Sequence, residues 1–138
     1  MAYAYRGSSP FSCTFFMAIK ITPLGGVGEV GRNCIAVEID NKIIICDMGF
    51  HLERYISVTE DDYPGKRHLL RKLLSARAIP DRRWLLKNKS KIVAICISHA
   101  HLDHIGAIPF LAKQLRCPVY ATRFAAGIIR SLCEQHRT

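Results

Sequence analysis

The sequence predicts a layered α/β domain, and three observations predict it. β-branched apolar segments joined by tight turns fill the first third of the chain, a wholly apolar run at 91–97 follows a long basic stretch, and short helical and strand patterns alternate after it. Residues 18–24 (AIKITPL) read as a strand with Pro23 near its end, 34–39 (CIAVEI) as a second and 42–46 (KIIIC) as a third. Asp40-Asn41 makes a two-residue hairpin, since both residue types tolerate positive φ. Residues 50–64 read as irregular and acidic. A basic helix is predicted over 66–78, opened by Pro64-Gly65 and stopped by Pro80, with Leu69, Leu70, Leu73 and Leu74 on one stripe. The run 91–97 (KIVAICI) reads as a strand buried throughout. A loop over 98–104, a helix over 105–115 with Pro109 early in it, and a short strand at 118–121 follow. Thr122 then caps a last helix over 123–136.

Residues 1–16 show no clean period and carry a Ser-Ser-Pro break, so they are expected to be a disordered extension, leaving 17–138 as the folded part. A chain beginning at Met17 is expected to melt at the same temperature as the whole. A clear fall would show that the extension packs on the core.

The 138 residues, 49% of them hydrophobic, suit one domain with a real core. Charged residues at 22% are too few for a disordered polyelectrolyte. No apolar run approaches the roughly 18–20 residues of a membrane helix, so no membrane partner is expected. The cysteines at 13, 34, 46, 96, 117 and 133 form no CxxC pair, and Cys46 and Cys96 lie inside apolar runs. That pattern predicts free thiols in a reducing, cytoplasmic compartment. The net charge of +9, with Lys and Arg crowded between 66 and 91, suits either a polyanionic partner or a solvated basic face.

Chemistry concentrates in Ser98-His99-Ala100-His101-Leu102-Asp103-His104, directly after the apolar strand. Imidazole nitrogens and a carboxylate are the donor mix of zinc and similar divalent ions. If alternate residues of the loop point to one side, His99 and His101 can grip one ion while Asp103 and His104 turn toward a second. The spacing is not that of an H-E-x-x-H zinc helix. His51 reads as an exposed loop residue, although its place after Asp47-Met48-Gly49 would let it approach the cluster. His68 and His136 read as surface residues. Gly26-x-Gly28-x-x-Gly31 matches the dinucleotide-binding pattern literally, but that mechanism needs a helix next, and here a strand follows. The glycines are instead expected to permit a tight turn near the mouth of the site.

His99-x-His101-x-Asp103-His104 resembles the signature of the metallo-β-lactamase superfamily, whose fold is a four-layer αββα sandwich. Residues 24–33 (LGGVGEVGRN), followed by Ile44-Ile45-Cys46-Asp47-Met48-Gly49, are similar to the opening of the ribonuclease J family of β-CASP ribonucleases. Ala78-Ile79-Pro80-Asp81 and Ile105-Gly106-Ala107-Ile108-Pro109 resemble its archaeal members. The resemblance covers about 17–138 and implies the N-terminal half of the sandwich, within a larger zinc-dependent ribonuclease. It implies two zinc ions in the complete enzyme, one on His99 and His101, the other on Asp103 and His104, with Asp103 also orienting the attacking water. Asp47 would accept hydrogen bonds that orient the metal loop, or simply cap the turn before Gly49. Glu29, Arg32 and Asn33 would contact substrate or pair on the surface. The resemblance further implies RNA as the partner, cut from an end or internally, and a homodimer of the full-length enzyme. Later segments of the family supply another metal-binding His, a bridging Asp and a closing His. After His104 only His136 remains here, so this chain alone is expected to be inactive. Two other readings stand beside this one: a hydrolase of the same fold acting on small-molecule esters or thioesters, and a non-catalytic fragment.

Overall fold

The computed structural model describes residues 18–60 and 66–136. The extension at 1–16 and the Pro64-Gly65 opening of the basic helix lie outside the described residues. Strands β1 (Ile19–Gly25), β2 (Cys34–Ile39) and β3 (Lys42–Cys46) form an antiparallel meander. The hairpin between β2 and β3 turns on Asp40 and Asn41, both at positive φ (47° and 64°), as the residue types required. Strand β4 (Ile92–Cys96) then pairs parallel to β3, and β5 (Val119–Tyr120) parallel to β4, giving one five-stranded sheet in the order β1-β2-β3-β4-β5. The sheet therefore changes from antiparallel to parallel at β3.

The helices are α1 (Leu52–Thr59), α2 (Lys66–Ser75), α3 (Arg82–Lys87), α4 (Leu102–Ile105), α5 (Ile108–Leu115) and α6 (Arg123–Gln135). Leu69 and Leu73 of α2, Leu85 of α3, and Phe110, Leu111 and Leu115 of α5 share one buried cluster with Cys34, Ala36, Ile43, Ile45 and Ile95 of the sheet. By register, Ala36, Ile45 and Ile95 lie side by side on that face. On the opposite face, Ile21 (62% exposed) and Ile35 (37%) sit beside half-buried Val37, Ile44, Cys46 and Cys96. One sheet face is thus packed and the other is apolar but open, the arrangement expected of half a sandwich.

Four elements differ from the sequence reading. The segment after residue 50 is not irregular: it holds α1, whose residues cover the core without any of them being buried. Helix α3 occupies a stretch for which the sequence suggested no element. Asp81 opens it, its carboxylate accepting from the backbone N–H groups of Arg83 (2.9 Å) and Trp84 (3.2 Å), a cap worth about 1 kcal/mol. The loop at 98–104 is shorter than expected, because α4 begins at Leu102 and α5 only at Ile108. Finally, β4 is not buried throughout. Ile43 pairs with Ile92 and Ile44 with Ala94, so Val93 is the extra residue of a bulge and is 43% exposed. Thr122 caps α6 as expected, accepting from Ala125 N.

Cys34, Cys46, Cys96 and Cys117 are free thiols. Burial, with the Asp47 carboxylate and Cys46 nearby, pushes the Cys34 thiol far above the ordinary thiol range. Burial also raises Cys46 and Cys117. These thiols pack as small apolar groups rather than as nucleophiles. No helix among the described residues is long and apolar enough to cross a membrane.

Candidate metal centre

Backbone hydrogen bonds knit three chain segments together at the carboxyl ends of β3 and β4. Asp47 N donates to Cys96 O, Met48 N to His104 O, and Phe50 N to Leu102 O. Asn33 N donates to Asp103 O, and Gly49 N to Asn33 O. The turn after β3 is thereby sewn to the His-rich loop on one side and to the glycine turn on the other. Gly26, Gly28 and Gly31 in that turn hold φ of 80°, 72° and 87°, a backbone that L side chains rarely adopt. Strand β2 follows directly, with no helix, so the dinucleotide-binding match is accidental.

Asp47 itself stands in the left-handed region (φ 62°) and faces the loop. Its carboxylate accepts from Ser98 N (2.8 Å) and Ser98 Oγ (2.9 and 3.0 Å), and lies 2.8 Å from His104 Nδ1. That contact places the proton of a neutral His104 on Nδ1 and leaves Nε2 as the free lone pair. Nε2 lies 3.4 Å from Asp103 Oδ2 and 3.1 Å from Asn33 Nδ2, and Asn33 Nδ2 also donates to Asp103 Oδ2 at 2.9 Å. The His99 ring lies 4.0 Å from that of His104 and 4.4 Å from that of His101, centroid to centroid. The structure therefore brings His99, His101, Asp103 and His104 into one cluster, with Asp47 and Asn33 bonded to its members.

The donor chemistry fits a divalent cation: three imidazoles and one carboxylate, one imidazole already fixed in its ligating tautomer. Among the described residues, however, no three His, Cys, Asp or Glu side chains converge on a common point.

Glu29 and Arg32 form an ion pair at 2.6 Å, and Arg54 of α1 reaches Glu29 at 3.2 Å. Partial burial works to raise the Glu29 carboxyl, but the Arg32 and Gly26 hydrogen bonds and the Arg32 and Arg54 charges outweigh it and hold the group below its ordinary value. This clasp is complete above the usual carboxylate range and is lost as pH falls through the lowered value.

Two histidines depart from the sequence reading. His51 is half-buried rather than exposed, because its N–H donates to Ala78 O (2.8 Å) and draws it against the loop before α3. It lines a cleft of about 540 Å³ together with Val30, Leu52, Leu102, His101 and Asp103. Its Nδ1 is buried without a hydrogen-bond partner, so Nε2 is the ring's remaining route to one. The sequence signal for His51 was its place two residues after the Asp47-Met48-Gly49 turn. His136 is buried, not on the surface, its ring 4.7 Å from that of Phe110. His68 is exposed, as read.

A mixed α/β sheet thus carries a His-x-His-x-Asp-His loop at the carboxyl end of β4. The metallo-beta-lactamase superfamily model matches residues 27–127, and the chain belongs to that superfamily. It is 39% identical over 114 residues to Ribonuclease J of Methanocaldococcus jannaschii, covering 83% of this chain and 25% of that protein. It is 41% identical over 114 residues to Ribonuclease J of Pyrococcus abyssi (82% and 24%), and 36% identical over 118 residues to Ribonuclease J 1 of Streptococcus pyogenes (86% and 18%). The chain thus spans a quarter or less of the length of these curated relatives. Among solved structures, the short form of human tRNase Z aligns over 84% of this chain and 40% of that one, with a TM-score of 0.45 and 16% identity.

Proposed function

We propose that this chain carries one part of a two-zinc centre that hydrolyses RNA phosphodiesters. The observation that carries the reading is the Asp47–His104–Asp103 line, in which a carboxylate fixes one imidazole tautomer and turns its free nitrogen toward a second carboxylate. His99 and His101 would hold one ion, Asp103 and His104 the other. Bound there, divalent ions supply Lewis-acid activation of water and neutralise charge on phosphoryl oxygens. The chain's own residues hold the site in shape. Asp47 keeps the proton on His104 Nδ1, Asn33 orients the Asp103 carboxylate, and the Asp47 to Ser98 bonds fix the start of the loop. RNA as substrate is supported by the relatives' name, Ribonuclease J, and by the Lys and Arg of 66–91, since counterion release from phosphate drives association. A neutral ester or thioester substrate would not need that charge.

Four donors divided between two ions leave each with two protein ligands, short of the three typical of catalytic zinc. The 138-residue chain is accordingly expected to bind 5′-phosphorylated RNA in a salt-dependent way and not to cut it when zinc or manganese is added. Absence of RNA binding at low salt would overturn the substrate assignment. Metal-dependent cleavage that disappears in Asp103→Ala would overturn the ligand arithmetic.

The Asp47 assignment has its own test. In Asp47→Asn the side chain keeps its size and suits the left-handed backbone. Its oxygen can still accept from Ser98 N, but its amide then donates to His104 Nδ1 and moves the imidazole proton to Nε2. Zinc affinity should fall roughly 10- to 100-fold, read by competition with a chromophoric chelator. Unchanged affinity would reduce Asp47 to a turn cap.

A further inference from the structure

A second cavity, of about 710 Å³ and within the range of small-ligand sites, is lined partly by Gly25, Val27, Glu29 and Arg32 of the glycine turn and shares no lining residue with the His51 cleft. Its wall combines four guanidiniums (Arg32, Arg77, Arg82 and Arg83) with two carboxylates (Glu29 and Asp81) and the indole of Trp84. Both carboxylates are already engaged. Glu29 is held by Arg32 and Arg54, and Asp81 accepts the backbone N–H groups that open α3. Arg82 donates to Gln114 Oε1 at 2.9 Å, which fixes its guanidinium in place. The Arg77 and Arg83 side chains are exposed and form no hydrogen bond or ion pair among the described residues. The cavity therefore presents two uncommitted cations beside Trp84, which lines it and is half-buried against the core. Arg32 lines it, and the next residue, Asn33, bonds Asp103.

We propose that the cavity is a second binding site for single-stranded RNA, in which Arg77 and Arg83 take backbone phosphates and a base stacks on Trp84. An unpaired cation at each of two positions suits successive phosphates, and an indole face accepts any base, so the site would be tolerant of sequence. Acidic protein segments would satisfy the arginines but would leave the indole face unused. The proposal rests on the RNA reading above, and it is tested without metal so that the two can fail separately.

Trp84 is the chain's single tryptophan, so its emission reports on this cavity alone. The whole chain, in EDTA, is titrated with a 5′-labelled decauridylate while label anisotropy and tryptophan emission are both followed, and in parallel with inorganic polyphosphate. The variant is Arg77→Asn with Arg83→Ala. Asparagine is chosen because residue 77 holds φ 53°, and unchanged circular dichroism verifies the fold. Expected is quenching by the RNA but not by polyphosphate. In the variant, RNA affinity should fall at least tenfold, with the slope of log affinity against log salt reduced by about 1.4 for two phosphates. Equal quenching by polyphosphate would overturn the stacking assignment. Anisotropy showing RNA bound with Trp84 silent, or with the variant at full affinity, would overturn the cavity while leaving the RNA reading intact. No binding by either signal would overturn both.

Discussion

Replacing His99 and His101 together by alanine is expected to abolish whatever zinc the purified chain binds, which should itself be held weakly because only two protein ligands serve each ion. Both side chains are exposed, so their loss should cost the fold little, and a fall in metal then reports ligands rather than unfolding. Their rings meet edge to face at 4.4 Å, and His99 also lies against His104 at 4.0 Å, so one double substitution removes half of the donors and the contact that groups the rest. Asp103 and His104 would then be the only two of the four proposed donors left. Elemental analysis of the variant checks this, with exposed His68→Ala as the control for casual binding by surface imidazole. Zinc unchanged in the double variant would remove the cluster from consideration as the metal centre.

Gly49→Ala is expected to cost more than about 4 kcal/mol, the scale of the most damaging single substitutions, where a typical domain has roughly 5–15 in all. A Cβ at residue 49 would overlap the Asp103 carbonyl and stand 2.7 Å from His104 N. Neither segment can withdraw. Met48 N and Phe50 N, on either side, bond to His104 O and Leu102 O, while Gly49 N bonds to Asn33 O. The close approach that a hydrogen at this position permits is the same one that sets Asp47 against His104. Gly127→Ala is the contrast: nothing lies near its Cβ within α6, and the change should stabilise by about 0.5–1 kcal/mol. Urea unfolding of both variants separates the cases, and a Gly49→Ala protein within 1 kcal/mol of the parent would refute the argument.

The meander and the grouping of His99, His101, Asp103 and His104 were readable because each is a local pattern. Alternating β-branched residues with an Asp-Asn turn specify a hairpin without tertiary help, and four donors within six residues declare themselves. Helix α1 was hidden because its sequence, LERYISVT, mixes β-branched residues into a short segment and His51 supplies no side-chain cap. Helix α3 announced itself only through Asp81, a cap followed by six residues. The burial of His136 and the place of His51 depend on Phe110 and Ala78, partners 26 and 27 positions distant, to which no local pattern points. The bulge at Val93 is likewise a property of the β3–β4 pairing, not of the run KIVAICI.

The change of strand direction at β3 also has a kinetic meaning. The meander closes over neighbouring residues, whereas Cys46 reaches Cys96, and Asp47 reaches Ser98, only after a loop of about fifty residues has been drawn in. Loop-closure entropy makes such a contact late, so the nucleus for refolding should lie in β1, β2 and β3. Ile45→Val, in the meander, should then slow refolding, while Asp47→Asn should mainly speed unfolding. The cluster would be the last part of the molecule to assemble and the first to open. Stopped-flow traces in which Asp47→Asn slows refolding as much as Ile45→Val would reverse that order.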